Sequence, residues 1–473
     1  MLAGMVALLM VGSALVIAVP GIVAATTAIE SATASPLYES YYVGSSFNPA
    51  SSPPGWCGAL QCYTPQELQQ GYNWRGAYGQ VGGYANAGAG QTIVIFDAYG
   101  NPYIAANLAV FDATFGLPPA KLNIFCPQGC PKFDPSGKTP NSRLQLDWAG
   151  EISLDTQSAH AYAPAATLDL VIARSEANSD FLTVEQWALA HHLGNIWSQS
   201  FGEPECDFSD NSPWFAGNNL VYQEAVAQGI TIFASAGDSW SQNGCPTPSA
   251  SYPADNPNNI AVTGTYIDLQ FAPGKKVSSP LVSAKATYGH ETTWNDQENA
   301  TLVADGLVFG GTGGAMSNLF PAPAYQSDPT LTPYTCTGAT PSTCAKGFAY
   351  HPLGKVAADV AYDGSVNGGI LGYMNFGPHS AVPAGYYIFG GTSAGSPAWS
   401  ALIAIADQAA GKALGNIAPW LYAWIGSIVF HDITVGSNTA EPGTGFLSTT
   451  GWDGASGVGS PNVGKLVRAL AAA

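Results

Sequence analysis

The chain has 473 residues, enough for one large domain behind a leader or for two or three ordinary domains. Hydrophobic residues make up 46% of it, which excludes a disordered chain. Charged residues make up only 10% and the formal net charge is -18, so nucleic acid, whose phosphates bind clustered Lys and Arg, is excluded as a partner. Because basic groups are few, the protein carries little positive charge when its carboxylates are protonated, which is consistent with an acidic medium. The same composition is also found in an ordinary acidic secreted protein.

The N-terminal region predicts export from the cytosol. Residues 1–29 carry no charged side chain, and residues 2–25 are almost wholly apolar. This pattern predicts a signal peptide or an N-terminal membrane anchor, and hence a secreted or extracellular protein. If the segment is an anchor, residues 2–25 tether the protein to the membrane. Residues 30–63, rich in Ser, Pro, Gly and Tyr, are predicted to form a surface arm or the remnant of a pro-segment, and residues 64–473 the folded domain.

From residue 64 onward, short β-branched segments alternate with helical patterns. This alternation predicts an α/β fold with a central, mostly parallel sheet and helices on both faces. The Gly- and Pro-rich region 266–385 is predicted to form long loops that contact the substrate. The predicted strands are 92–97, 167–173, 196–200, 231–235, 260–263 and 386–389, and the predicted helices are 143–162, 180–193, 214–228 and 394–410.

The eight cysteines occur as neighbours in sequence. An even number behind an apolar leader indicates disulfides formed outside the cytosol, although other pairings are possible. A zinc site is the alternative, but neither a Cys-x-x-Cys pair nor two histidines separated by three to five residues support it. The predicted pairs are Cys57 with Cys62, Cys126 with Cys130, Cys206 with Cys245, and Cys336 with Cys344.

The segment 389–397, Phe-Gly-Gly-Thr-Ser-Ala-Gly-Ser-Pro, is the strongest chemical signal. A strand ends in glycines, a serine follows, and a helix of small residues begins. This order predicts that Ser393 is exposed at the carboxyl edge of the parallel sheet, near the backbone N–H groups of the helix start, where a nucleophile fits. The alternative is a serine that only caps the helix.

A serine nucleophile needs a base, and at low pH histidine is protonated, because its pKa is about 6.5. A carboxylate is the substitute under those conditions. Glu151 and Asp155 are four residues apart on a predicted helix, on one face and near enough to share a proton, and Asp147 extends this stripe by a turn. Like charges at this spacing repel, so the pattern favours protonated groups; a solvated acidic face is the alternative.

Asp238 follows the predicted strand 231–235 in the sequence Ala-Gly-Asp-Ser. A carboxyl group beside a developing oxyanion helps only as a neutral hydrogen-bond donor, so Asp238 is predicted to work in its protonated form. The alternative is a turn aspartate that bonds to its own backbone. Near the C-terminus, Asp432 and Asp453 with intervening backbone carbonyls make a plausible oxygen cage for calcium, and two ordinary turns are the alternative there.

In combination these motifs resemble the sedolisin family of serine-carboxyl peptidases. The resemblance covers about residues 64–468, with several motifs in the same order. These motifs are Tyr-Thr-Pro-Gln-Glu-Leu at 63–68, Gln-Thr-Ile-Val-Ile at 91–95, the helix with Glu151 and Asp155, Ser-Gln-Ser-Phe-Gly at 198–202, Ala-Gly-Asp at 236–238, Glu-Thr-Thr-Trp-Asn at 291–295, Gly-Thr-Ser at 391–393, Asp432, and Gly-Trp-Asp at 451–453.

The resemblance implies a subtilisin-like fold and an acid-acting peptidase that hydrolyses proteins or peptides through an acyl-enzyme. It implies Ser393 as the nucleophile, Glu151 as its base and Asp155 as the group that orients Glu151. It implies Asp238 as the oxyanion-hole acid. It also implies one Ca²⁺ ion, held by the side chains of Asp432 and Asp453 and by the carbonyls of Ile433, Thr449 and Gly451. We expect a monomer.

The sequence departs from the family pattern in four places. Trp240 follows Gly-Asp-Ser where glycine is usual, Thr449 replaces a glycine, and 355–359 reads Lys-Val-Ala-Ala-Asp instead of Arg-x-x-Pro-Asp. Only about 60 residues precede the domain, where the family has a long folded pro-segment. We therefore expect either a longer precursor or a different control of activity.

Two alternative functions stay open at this level. Asp97 ends the first predicted strand, where the aspartate of an ordinary subtilisin triad lies, but the His-Gly-Thr helix start of such a triad is missing. The second alternative is a non-catalytic surface or adhesion protein on a peptidase scaffold, anchored by residues 2–25. The sequence does not distinguish an endopeptidase from a tripeptidyl-peptidase.

Overall fold

The computed structural model describes residues 33–47, 56–271, 285–327, 352–440 and 443–473. The apolar leader 1–29 lies outside these ranges, so the signal or anchor, the extracellular location and the division of the chain into three segments stay predictions. Within the described ranges, no helix has both the length and the apolar character needed to cross a membrane.

The described strands and helices follow the predicted α/β alternation. The strands are β1 (Ser35–Pro36), β2 (Glu39–Gly44), β3 (Trp56–Cys57), β4 (Leu60–Tyr63), β5 (Thr92–Ala98), β6 (Lys121–Phe125), β7 (Thr167–Ala173), β8 (Ile196–Gln199), β9 (Phe201–Pro204), β10 (Thr231–Ser235), β11 (Ser251–Tyr252), β12 (Ile260–Phe271), β13 (Ala286–Thr293), β14 (Met316–Pro321), β15 (Gly354–Val356), β16 (Val360–Asp363), β17 (Gly369–Met374), β18 (Gly385–Gly390), β19 (Phe430–His431) and β20 (Ser460–Pro461). The helices are α1 (Pro65–Gly71), α2 (Trp74–Tyr78), α3 (Ile104–Phe115), α4 (Pro140–Tyr162), α5 (Asn178–Ala190), α6 (Phe215–Ala227), α7 (Ala300–Asp305), α8 (Ala324–Ser327), α9 (Gly395–Ala410), α10 (Ala418–Ala423) and α11 (Val463–Ala472), with 3₁₀ turns at Tyr84–Asn86, Glu205–Asp207, Asp296–Glu298 and Thr392–Ala394.

The central sheet has eight strands in the order β13-β12-β10-β8-β5-β7-β6, with β16 paired to β12. All of its pairs are parallel except β12 with β13. Strands β7 and β10 have the predicted limits. Helices α4, α5, α6 and α9 begin and end within three residues of the predicted limits. The region 266–385, predicted as long loops, contains strands β13 to β17 among its described residues. The predicted fold class is confirmed.

Alternate side chains of β5 enter two different cores. Ile93 and Ile95 pack in the core that contains α4 and α9. Val94 and Phe96 pack in the core that contains α5 and α6. Because successive side chains of a strand point to opposite faces, a strand that is apolar at every position needs cover on both faces, and the helices provide it.

A second sheet carries the predicted strand 386–389, in the order β2-β18-β17-β4-β3. Strand β18 runs antiparallel to both β2 and β17. The prediction that this strand belongs to the parallel sheet is therefore wrong. All six positions of β18 are buried, so its apolar residues are continuous as in a parallel strand, and the sequence did not distinguish the two.

Residues predicted as an arm form strands of two sheets, a separate three-stranded sheet in the order β1-β9-β11 and the second sheet. Strand β1 pairs with β9, and β2 pairs with β18. Three of the four predicted disulfides are also present, Cys57 with Cys62, Cys126 with Cys130, and Cys206 with Cys245, whereas Cys336 and Cys344 lie outside the described residues.

Lys355 occupies the place where the family motif has arginine, and it is completely buried. Its Nζ donates to the carbonyls of Ala254, Asn256 and Asn259 at 2.9, 2.8 and 2.5 Å, and lies 3.2 Å from the Asp359 carboxylate. Burial lowers the pKa of Lys355, and Asp359 opposes this change. The lysine therefore ties the 254–259 loop to β15 as a buried, fully hydrogen-bonded cation.

We predict that Lys355→Met in a Ser393→Ala background lowers the free energy of unfolding by about 3–5 kcal/mol, because it leaves Asp359 buried without its cation. Urea unfolding followed by fluorescence measures this. Lys412→Met, at an exposed lysine, is the control and should change stability by less than about 0.5 kcal/mol. Equal effects of the two substitutions would contradict the structural role of Lys355.

Candidate active site

Ser393 lies in the turn between β18 and α9. Gly391, which precedes it by two residues, has a φ of +94°, a conformation that favours glycine. The Ser393 Oγ donates to the carbonyl of Ser200 at 3.2 Å. The cap residue of α9 is Ala394, and no side chain bonds to the helix start. The alternative in which Ser393 only caps the helix is therefore wrong.

Helix α4 carries Glu151 and Asp155, and both side chains are fully buried. The helix begins with Thr139, whose hydroxyl accepts a hydrogen bond from the Ser142 N–H, followed by proline at the first position. Asp147, one turn before Glu151, is exposed. The alternative of a solvated acidic face is thus wrong for Glu151 and Asp155.

Burial raises the pKa of Glu151 well above its usual value, and Asp155 and Asp97 raise it further, while the nearby Ser393 hydroxyl lowers it. Burial also raises the pKa of Asp155, and the nearby Ser200 hydroxyl and Glu151 lower it. Neither carboxyl has a hydrogen-bond partner among the described residues. The pair therefore keeps a proton at pH values where exposed carboxyls have lost theirs.

Asp97, at the end of β5, is a third carboxyl of this site. It is fully buried, and its pKa is raised by burial and then by Asp155. The sequence analysis considered Asp97 only for a histidine triad. Among the described residues no histidine bonds to Asp97 or to Ser393, and His160 of α4 instead contacts Asp112 at 3.1 Å. The sequence feature that could have identified Asp97 as a site residue is its position at the carboxyl end of a central parallel strand.

Asp238 lies on the other side of the turn that carries Ser393. Its Oδ1 accepts hydrogen bonds from the Thr392 N–H at 2.8 Å and the Thr392 hydroxyl at 2.7 Å. Its buried Oδ2 has no partner among the described residues. Burial raises the pKa of Asp238 well above its usual value, although the Thr392 hydrogen bonds lower it. The interpretation of Asp238 as a turn residue bonded to its own backbone is wrong.

Trp240 lies in the loop after Asp238, at the position where the family motif has glycine. Its φ of 56° lies in the left-handed region, where glycine is usual. The indole Nε1 donates to Asn295 Oδ1 at 2.8 Å. A β-carbon on Gly311 would collide with the indole ring, so the ring packs directly on that backbone.

The two C-terminal aspartates both contact the loop 449–451. Asp432 accepts hydrogen bonds from the Gly451 N–H at 3.1 and 3.2 Å, and buried Asp453 accepts from the Thr449 N–H at 2.8 Å. The carbonyls of Ile433, Thr449 and Gly451 accept no hydrogen bond from the described residues. Within those residues no three His, Cys, Asp or Glu side chains cluster as a metal site, so an ion here depends on two carboxylates and backbone oxygens. Such an all-oxygen donor set fits calcium.

Comparisons with known proteins also find similarity to sedolisins. No protein-family model matches the chain. Kumamolisin of Bacillus sp. (strain MN-32) is 30% identical over 421 residues, which cover 87% of this chain and 64% of kumamolisin. Sedolisin of Pseudomonas sp. (strain 101) is 28% identical over 330 residues, which cover 67% of this chain and 48% of that protein.

The solved structure of Pseudomonas sedolisin, complexed with two molecules of pseudo-iodotyrostatin, matches with a TM-score of 0.65 at 24% identity. The match covers 88% of this chain and 99% of that one. The chain is thus similar to sedolisins in sequence and in fold. The subtilisin-like fold expected for a sedolisin is confirmed, and the chain spans 64% and 48% of the lengths of kumamolisin and sedolisin.

The buried carboxyls of this protein predict how its stability depends on pH. Their pKa values are raised in the folded state, so the folded protein binds more protons than the unfolded chain once the pH exceeds about 4, and the free energy of unfolding falls as the pH rises. In a Ser393→Ala background, Asp155→Asn should make this decline shallower, because the amide is neutral at every pH.

Thermal unfolding at a series of pH values from acidic to neutral measures the slope. Asp210→Asn, at an exposed aspartate, is the matched control and should keep the slope of the parent. Parallel curves for Asp155→Asn and the parent would show that Asp155 is not protonated in the folded protein.

Proposed function

We propose that the protein is a serine-type peptidase that hydrolyses protein or peptide substrates at acidic pH through an acyl-enzyme on Ser393. The observation that carries this proposal is the position of Glu151 and Asp155, which are buried beside Ser393 with no basic side chain paired to them among the described residues. Burying two such groups is costly for stability, so their place beside a nucleophile is best explained by chemistry.

Glu151 acts in this proposal as the general base. It accepts the proton of the Ser393 hydroxyl as Oγ attacks the substrate carbonyl carbon, and it returns that proton to the departing amine. Asp155, four residues along the same helix, orients Glu151 by sharing a proton with it. Asp97 is close enough to both carboxyls to repel their charges, and it thereby helps to keep that proton in the site. A carboxyl base retains this role at a pH where histidine is already protonated.

Asp238 stabilises the oxyanion. Its Oδ1 accepts hydrogen bonds from Thr392, so the proton is carried by the unpartnered Oδ2. The protonated Oδ2 and the Ser393 N–H each donate a hydrogen bond to the substrate oxygen. An ionised Asp238 would repel the oxyanion instead. The raised pKa of Asp238 keeps the donor form present at acidic pH, and the activity should fall as the pH rises and this proton is lost.

One calcium ion at the C-terminal loops is part of the same proposal. The side chains of Asp432 and Asp453 and the carbonyls of Ile433, Thr449 and Gly451 would hold it. The ion would neutralise two carboxylates and join the loop 449–451 to the end of β19. Its role is structural, since these residues take no part in the steps at Ser393.

We predict that Ser393→Ala lowers the hydrolysis of denatured protein at acidic pH by at least about a thousandfold, because no other nucleophile takes its place. The rate of appearance of new amino groups measures this. Ser400→Ala is the matched control, since Ser400 lies on the same helix and its buried hydroxyl has no partner among the described residues. Equal activity of wild type and Ser393→Ala, or a wild-type rate that is flat from acidic to neutral pH, would contradict the proposal.

Removal of calcium should lower the melting temperature. At a calcium concentration of about 100 times the dissociation constant, binding stabilises the fold by about 2.7 kcal/mol. Asp432→Ala should abolish the difference between protein with calcium and protein with EDTA, while Asp305→Ala, at an exposed aspartate, should retain it. Both substitutions are made in the Ser393→Ala protein, and thermal unfolding measures their effects. The same melting temperature with and without EDTA would contradict the proposed calcium site.

A further inference from the structure

The hydroxyl group of Thr392, the residue before the nucleophile, lies in a chain of hydrogen bonds with a fixed direction. The side chain is fully buried. Its Oγ1 accepts from the Gly237 N–H at 3.2 Å and donates to Asp238 Oδ1 at 2.7 Å. A backbone N–H can only donate, so the Thr392 oxygen is the acceptor on the Gly237 side. Its hydroxyl hydrogen therefore points to Asp238.

Asp238 Oδ1 is fully occupied as an acceptor by this arrangement. It accepts from the Thr392 hydroxyl and also from the Thr392 N–H at 2.8 Å. A carboxyl oxygen has two lone pairs, and two donated hydrogen bonds use both of them. The buried Oδ2 has no partner among the described residues. Thr392 thus holds one oxygen of Asp238 and leaves the other free to carry the proton.

The free oxygen of Asp238 faces the place where a carbonyl oxygen bonds to the Ser393 N–H. The backbone N–H of a nucleophilic serine is a standard donor of an oxyanion hole. In this structure it donates to the Leu37 carbonyl at 3.0 Å. A β-carbon on Gly391 would lie 2.5 Å from the Leu37 oxygen and 2.5 Å from Asp238 Oδ2, so both oxygens border the same small space. The rotation of Asp238 that Thr392 imposes therefore decides whether its proton points at that space.

The same hydrogen bonds make the proton of Asp238 easier to lose. Burial raises the pKa of Asp238, the N–H and hydroxyl of Thr392 lower it because they stabilise the carboxylate, and Glu39 of β2 raises it. The other charged group that faces Asp238 is Glu151 of α4, whose own pKa Asp238 raises. Both neighbours are acidic, so the stabilisation of an ionised Asp238 comes from Thr392.

We propose that Thr392 is a positioning residue for the oxyanion-hole acid: its hydroxyl aims the Asp238 proton at the substrate oxygen and sets the upper pH limit of the activity. This inference rests on the proposed function, in which Asp238 donates to the oxyanion, and adds the residue that controls this donation. Thr392 itself touches neither the substrate nor the Ser393 hydroxyl in this proposal. Its hydroxyl gives correct orientation and, as a consequence, a lower pH limit than Asp238 would have without it.

Thr392→Val removes the hydroxyl and keeps the size of the side chain. The kcat at acidic pH should fall at least about tenfold with little change in KM, because the aimed proton acts on the transition state. The pH at which kcat falls to half should rise by about one unit, because the ionised Asp238 loses a hydrogen bond. Thr392→Ser retains the hydroxyl and should retain the wild-type pH limit.

Thr231→Val is the matched control. Thr231 begins β10, at the opposite end of that strand from Asp238, and its buried hydroxyl donates to the Gly415 carbonyl at 2.5 Å. The substitution removes the same group from an equally buried place. It should leave the pH limit of kcat where the wild type has it.

A second measurement follows the Asp238 proton without relying on activity. Infrared spectra of the full-length Ser393→Ala protein are recorded from acidic to neutral pH, and the carbonyl stretch of protonated Asp238 is identified by its loss in Asp238→Asn. With Thr392→Val this band should persist to a pH about one unit higher than with threonine. Thermal unfolding shows whether the valine variant folds. If it does not, Thr392→Ala removes the same hydroxyl and should move the band in the same direction.

The outcomes separate this inference from the proposed function. If the wild type digests denatured protein at acidic pH and Thr392→Val has the same pH limit, the role of Thr392 is overturned and the peptidase proposal stands. An infrared shift in a protein that digests nothing would support the control of Asp238 by Thr392 and contradict the peptidase function. A pH limit that falls in Thr392→Val, the same kinetic change in Thr392→Ser, or an equal shift in Thr231→Val would each overturn the inference.

Discussion

The structure depends most on the burial of Glu151, Asp155 and Asp97 without a neutralising cation. Removing a carboxylate from water costs several kcal/mol unless the group is paired or protonated. Here protonation is the available route, since no basic side chain pairs with these groups among the described residues. The folded state is thus coupled to acidic conditions through the same groups that are placed to activate Ser393.

One buried charge elsewhere in the protein is fully paired. Lys355 is as deeply buried as Glu151, yet it has the carboxylate of Asp359 and three backbone carbonyls as partners. The comparison shows that this fold can satisfy a buried charge where only stability is at stake. The unsatisfied carboxyls beside Ser393 are therefore better explained by chemistry than by packing.

Two sheets meet at the candidate site, and this meeting explains its geometry. The central parallel sheet supplies Asp97 and the strand that leads to Asp238, while the second sheet supplies β18 and hence Ser393. Thr392 joins the two through its hydrogen bonds to Asp238. The second sheet also includes β2, which follows directly on Leu37 and Tyr38. The strand that presents the nucleophile thus also holds the segment that lies in front of it.

The sequence by itself determined the features that depend on local order. The repeat of apolar segments predicted the central sheet, the four-residue spacing placed Glu151 and Asp155 on one helix face, and the glycines before Ser393 predicted its turn. Only the tertiary structure decided which sheet β18 joins, that Asp97 lies near Glu151 and Asp155, and that Leu37 reaches the Ser393 N–H. Each of these rests on contacts between residues far apart in the chain. Such contacts are set by strand pairing and packing, which leave no periodic mark in the sequence near either partner.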